Sequence, residues 1–128
     1  MTYQNNKQIP IKGYASWHPL KHCMVGSGFH IDWFKEFFSD KKIIDPLQRI
    51  AEETEEDFLE LSSILTKAGV EVHRPKLEIE KYNSLRDIYR PPMTPRDHFG
   101  VIGEKFYAVQ YAQGYSNVLK QIKKEHLY

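Results

Sequence analysis

The 128-residue chain is long enough to bury one hydrophobic core without disulfide or metal staples, and too short for two ordinary domains. Its 18 basic and 17 acidic side chains leave a formal charge of +1, so no overall field draws it to nucleic acid or to an anionic membrane. Hydrophobic residues at 41% and charged ones at 27% exclude a wholly disordered chain, and a single cysteine excludes an intramolecular disulfide framework. No apolar run approaches the length of a membrane span and MTYQNNKQIPIKGY lacks a signal-peptide core, so a soluble, cytoplasmic protein is expected.

The first dozen residues are polar and read as a loose lead-in. The segment LKHCMVG at 20–26 follows, where Leu20, His22 and Met24 alternate with Lys21, Cys23 and Val25 as on a strand with one buried face. Gly26-Ser27-Gly28 ends it. Phe29, Trp33, Phe34, Phe37 and Phe38 suit either a short helix or a packed loop, filling space by packing or forming an aromatic cage. Asp45-Pro46-Leu47-Gln48 then predicts a helix start, with Asp45 as cap, Pro46 in the first turn and Gln48 reaching back. Leu47, Ile50, Thr54, Phe58, Leu61, Leu65 and Ala68 recur on one face, opposite a solvated row of Glu52, Glu53, Glu56 and Glu60.

Gly69 suits the left-handed stop of that helix, and VEVHRP at 70–75 returns as a short strand parallel to the first, closing a β-α-β unit. Residues 77–89 have no clean period and read as a surface connection. Then comes RPPMTPRDHFGVIGEKFY at 90–107, a proline-restrained approach, the charged pair Arg96-Asp97, and two apolar arms about a Gly103 turn that predict a hairpin. Residues 107–111 continue its second arm or leave the sheet. A last helix capped by Ser116 is expected to run to the chain end, with Val118, Leu119, Ile122 and Leu127 inward and Lys120, Lys123 and Lys124 on a solvated face.

Few residues carry chemistry. His18 and His22 have the HxxxH spacing, but Pro19 disfavours a helix and on a strand the interval is roughly 13 Å, so no metal site is expected there. His22 and Cys23 are adjacent and so point to opposite faces of a strand, which leaves Cys23 as an inert thiol. There is no phosphate loop or nucleophile elbow. Asp97 admits two readings. It either closes a structural turn with Arg96 or presents a carboxylate to a cationic ligand, for which a planar guanidinium with two parallel N–H donors is the best match.

Three segments in order resemble the amidinotransferase branch of the guanidino-modifying, or pentein, superfamily: SWHPLKHCMVG at 16–26, LTKAGVEVHRP at 65–75 and, most specifically, RPPMTPRDHFGVIGEKFY at 90–107. The resemblance implies an α/β fold, a partial β/α propeller with a first ββαβ-type module over about 16–75 and the start of a second over 90–128. It implies transfer of an amidino group from an arginine-type substrate through an amidino–cysteine intermediate, without a cofactor. Asp97 would hold the substrate guanidinium and Arg96 would support it. The family's later acidic residue, catalytic histidine and nucleophilic cysteine have no counterpart here, and Cys23 and His98 do not occupy those positions. The chain is therefore expected to be inactive alone, as a section of a transferase. The alternatives are a deiminase or dimethylarginine hydrolase of the same superfamily, or a noncatalytic module that associates with a complementing chain or with itself.

Overall fold

Two short, two-stranded sheets and one long helix carry the mixed α/β fold, seen in a computed structural model that describes residues 7–76, 92–108 and 114–128. The connection expected over 77–89, the motif's Arg90 and Pro91, the extension at 109–111 and the Trp33 side chain lie outside the described residues.

The first sheet pairs β1 (His22–Met24) with β2 (Glu71–His73) in parallel, with His22 opposite Glu71 and Met24 opposite His73. Between them run α1 (Ile31–Lys35) and α2 (Lys41–Lys67), so the crossover is the predicted β-α-β unit with an added helical turn. Of the 29–38 aromatics, Phe34 stands edge-on to Phe29 at 4.8 Å. One strand of a complete ββαβ module is not found among the described residues before β2.

The cap of helix α2 lies five residues earlier than predicted. Asp40 caps it by accepting from the Lys42 N–H at 2.9 Å, while Pro46 sits inside and Gln48 donates to Glu52 instead of reaching back. Two acid-led starts lie five residues apart, and the earlier wins because it adds a turn that turns Ile44 inward at the cost of one hydrogen bond at Pro46. The inward stripe shifts accordingly: Ala51 is buried and Leu47, Thr54, Phe58 and Leu65 are half-buried, while Ile50, Leu61 and Ala68 are exposed. The four glutamates are exposed as expected. Gly69 ends the helix with φ +84°, and Val70 bonds back to the Leu65 carbonyl.

The second sheet is the predicted hairpin, β3 (Phe99–Ile102) antiparallel to β4 (Lys105–Ala108). Its two-residue turn has positive φ at Gly103 only, the type II′ pattern that matches strand twist. A single helical turn, α3 (Pro95–His98), leads into β3.

The lead-in is not loose. Ile9 and Ile11 are buried and pack with Phe106, Val118 and Ile122, while Gly13 exchanges two backbone hydrogen bonds with Gly103 at 2.7 and 2.8 Å. Ile9-Pro10-Ile11 alternates like a strand, and that two-residue period outweighs its polar surroundings. The last helix is also shorter than expected. α4 (Ser116–Leu119) begins after Tyr115, not with Ser116 as cap, and gives way to a 3₁₀ turn at Lys124–His126. Val118 and Ile122 are nevertheless buried, and Tyr128 bonds to both ends of a β4 segment through Phe106 and Ala108. Among the described residues no helix is long and apolar enough to cross a membrane.

Candidate functional site

The Asp97 corner is built by local chain chemistry and fixed by long-range contacts with the end of β1. Pro95 presets the first helical φ, the Asp97 N–H closes the turn onto the Thr94 carbonyl at 3.0 Å, and Phe99 then returns to extended backbone. Upstream, Pro92 is fully buried and its carbonyl accepts from the Ser27 N–H at 2.9 Å. Gly26 touches this approach so closely that a Cβ there would run into the Met93 carbonyl. Thus the end of β1 and the approach to Asp97 pack directly on each other.

Arg74 secures the same joint. It donates two hydrogen bonds to the Glu55 carboxylate at 2.7 and 3.0 Å and two to the Gly26 carbonyl at 3.0 and 3.3 Å. Ser27 adds a 2.7 Å bond from its hydroxyl to the Pro75 carbonyl. Helix α2, the end of β1 and the end of β2 are therefore tied at one point beside Pro92.

Asp97 itself is exposed, and its carboxyl is held below the usual range by a side-chain hydrogen bond from Thr94 and then by Arg96. Arg96 meets it through one donor, Nε to Oδ1 at 3.3 Å, and is 90% exposed. The Arg96–Asp97 contact exists, and it leaves the carboxylate open to solvent. Behind it lies an arrangement that the sequence reading missed. Tyr115 is completely buried, edge-on to Phe99 at 4.8 Å and 5.9 Å from the His98 ring. Burial, with the Asp97 charge adding to it, pushes its phenol up to about 12. The Tyr115 hydroxyl and His98 Nδ1 are buried without hydrogen-bond partners among the described residues. The available signal was Gly114-Tyr115, a left-handed glycine at φ +86° that tucks the following aromatic inward.

A second cluster lies on the first sheet. His22, Glu71 and His73 have ligating atoms within 4.8 Å of one another, with His22 Nδ1 and His73 Nε2 2.9 Å apart. Burial, followed by the neighbouring His22, lowers the His73 pKa. His18 does not belong to this group. Cys23 lies on the opposite strand face, half-buried, with its Sγ toward the Met24 carbonyl at 3.8 Å, and burial pushes its thiol up. It is not an activated nucleophile.

No protein-family model matches this chain, and no curated protein matches its sequence.

Proposed function

We propose that this chain is the N-terminal section of an amidinotransferase-type enzyme with a partial pentein fold, in which Asp97 holds the guanidinium of an arginine-type substrate. The observation that supports it is the condition of that carboxylate: solvent-facing, favoured in its charged form, and met by Arg96 through a single N–H. A substrate guanidinium displaces this one exposed contact and offers two parallel donors, gaining orientation as well as charge compensation. Arg96 gives up Oδ1 to the ligand and remains exposed at the rim. The contribution is positioning of the amidino carbon, not proton transfer.

In the family reaction a cysteine thiolate takes the amidino group and passes it to an amine. Cys23 does not serve, because its thiol is held protonated and faces away from the His22 side of the strand. Binding without turnover is therefore expected of this chain, and the acceptor, amine or water, is chosen by groups supplied from a complementing segment or chain. Amide shifts in ¹⁵N-labelled protein titrated with L-arginine, L-lysine and L-citrulline test the reading. Arginine should shift residues around Thr94 and Asp97 saturably, citrulline should not, and Asp97→Asn should abolish the response. Arginine shifts that survive Asp97→Asn would overturn it.

A second reading, a noncatalytic assembly module, is favoured by the apolar outer face of α2, where Ile43, Ile50, Leu61 and Ile64 are all exposed. Light scattering that returned a monomer across a wide concentration range would remove self-association from this reading.

A further inference from the structure

We propose that His22, Glu71 and His73 form a binding site for a divalent transition-metal ion of the zinc class. The argument begins with register. In the parallel pair, His22 stands opposite Glu71 and Met24 opposite His73, so alternation places all four side chains on one face of the sheet. The two imidazoles meet diagonally across the strands, their rings almost parallel at 11° and Nδ1 of His22 2.9 Å from Nε2 of His73. A single proton shared between two ring nitrogens can be replaced by an ion that both lone pairs reach.

The required adjustment is small. Two nitrogens bound to a tetrahedral zinc at its ordinary bond length stand roughly 3.3–3.4 Å apart, so the rings need to part by about half an ångström. The carboxylate must come closer than it is. Glu71 is held to one side by Lys7 at 3.0 Å, with both side chains well exposed, and an exposed ion pair of this kind contributes little. Releasing Lys7 lets Glu71 swing onto the ion and supply the third ligand.

Two imidazoles and one carboxylate select against magnesium and calcium, which prefer all-oxygen shells, and suit zinc and cobalt. Three protein ligands leave at least one position for water or an outside ligand, the arrangement of open zinc centres. The location provides entry. His22 borders two grooves, one of about 760 Å³ that it shares with His73, Met24 and Phe106, and one of about 480 Å³ that it shares with Glu71, Lys7 and His126. Cys23 faces away and contributes no thiolate. The site is separate from the Asp97 corner, so either assignment can fail without the other.

The test uses the full chain, freed of metal by chelator. Co²⁺ should produce visible absorption bands saturating at one equivalent, without the near-ultraviolet charge-transfer band of a thiolate ligand, and Zn²⁺ should remove them. Zn²⁺ titrated by calorimetry should bind one to one. His22→Gln, His73→Gln and Glu71→Gln should each weaken it by more than about tenfold, the least that loss of even a supporting contact costs at a metal centre. Lys7→Ala, at an exposed side chain, should tighten it a few-fold. His18→Ala, His126→Ala and Cys23→Ala should leave it unchanged. Circular dichroism of each variant separates loss of binding from loss of fold, and Lys7→Ala gives a readout with no folding risk. Absence of saturable Co²⁺ and Zn²⁺ binding by the wild-type chain, or binding that persists in His73→Gln and disappears in His126→Ala, would overturn the proposal.

Discussion

The Asp97 corner and the His22–Glu71–His73 cluster are assembled in opposite ways. Arg96 and Asp97 are neighbours in the chain, and Thr94, which also bonds the carboxylate, is three residues away. His22 and His73 are separated by 51 residues and meet only because β1 and β2 pair in one register. The first arrangement is a property of a short peptide stiffened by proline. The second is a property of the fold, and a slip of one residue would send one histidine to the other face of the sheet. The two also differ in exposure: the Asp97 carboxylate looks outward, whereas the two imidazoles are partly enclosed.

The largest effect is expected where the two regions touch. Gly26 ends the sheet that carries the histidines and lies against the Met93 carbonyl that leads to Asp97. Because a backbone atom blocks the added Cβ, relief requires moving one region against the other. Gly26→Ala should therefore cost more than about 2 kcal/mol of stability in urea unfolding. Gly100→Ala provides the contrast, since an added Cβ there meets nothing within 4 Å, and it should be neutral or stabilise by about 0.5 kcal/mol. If both substitutions cost the same, the close docking of the 92–94 approach on β1 is wrong.

What was legible in the sequence follows the same division. Features set by one residue's local conformation were readable: the Gly103 hairpin turn, the Gly69 helix stop and the proline-restrained Asp97. The helix start was misplaced because Asp40 and Asp45 are both competent caps, and the choice depends on whether Ile44 finds a tertiary contact. Ile9 and Ile11 were passed over because two isoleucines in a polar stretch become core only when the hairpin lies over them. The histidine pair was hidden for a related reason. Alternation within HCM and EVH fixes a face for each strand, but only pairing in three dimensions fixes which residues stand opposite. The β-α-β prediction brought the strands together without their register.

Tyr115 gives an effect of intermediate size that separates burial behind the corner from exposure at its rim. Its phenol titrates at about 12 in the folded chain against an ordinary value of 10.0. Since the folded value is raised, the stability it contributes is complete below about pH 10 and is lost as pH rises toward about 12. Between about pH 9.5 and 11 the wild type should lose roughly 1 kcal/mol more than Tyr115→Phe. At neutral pH the variant should match or exceed the wild type, because it removes a buried hydroxyl with no partner among the described residues. Equal pH profiles for the two proteins would show that Tyr115 is not enclosed behind Asp97.

The smallest expected effect is the most informative about the corner itself. Thr94 is the first cause of the depressed Asp97 pKa and Arg96 the second. With the folded value below the ordinary one, the charged form and whatever it stabilises are complete above about pH 4 and are lost only as pH falls through the lower, folded pKa. Arginine binding should accordingly stay level from about pH 7 to 5 and fail at more acidic pH than a free carboxylate would allow. Thr94→Val should move the midpoint upward, read directly from the Asp97 carboxyl carbon shift. Arg96→Ala should move it upward too, yet strengthen arginine binding by removing the resident guanidinium from Oδ1. A gain in arginine binding with Arg96→Ala but not with Thr94→Val distinguishes a competitor from a structural partner. If Arg96→Ala weakens arginine binding instead, Arg96 helps to hold the ligand and its observed contact with Asp97 is not the one that the ligand displaces.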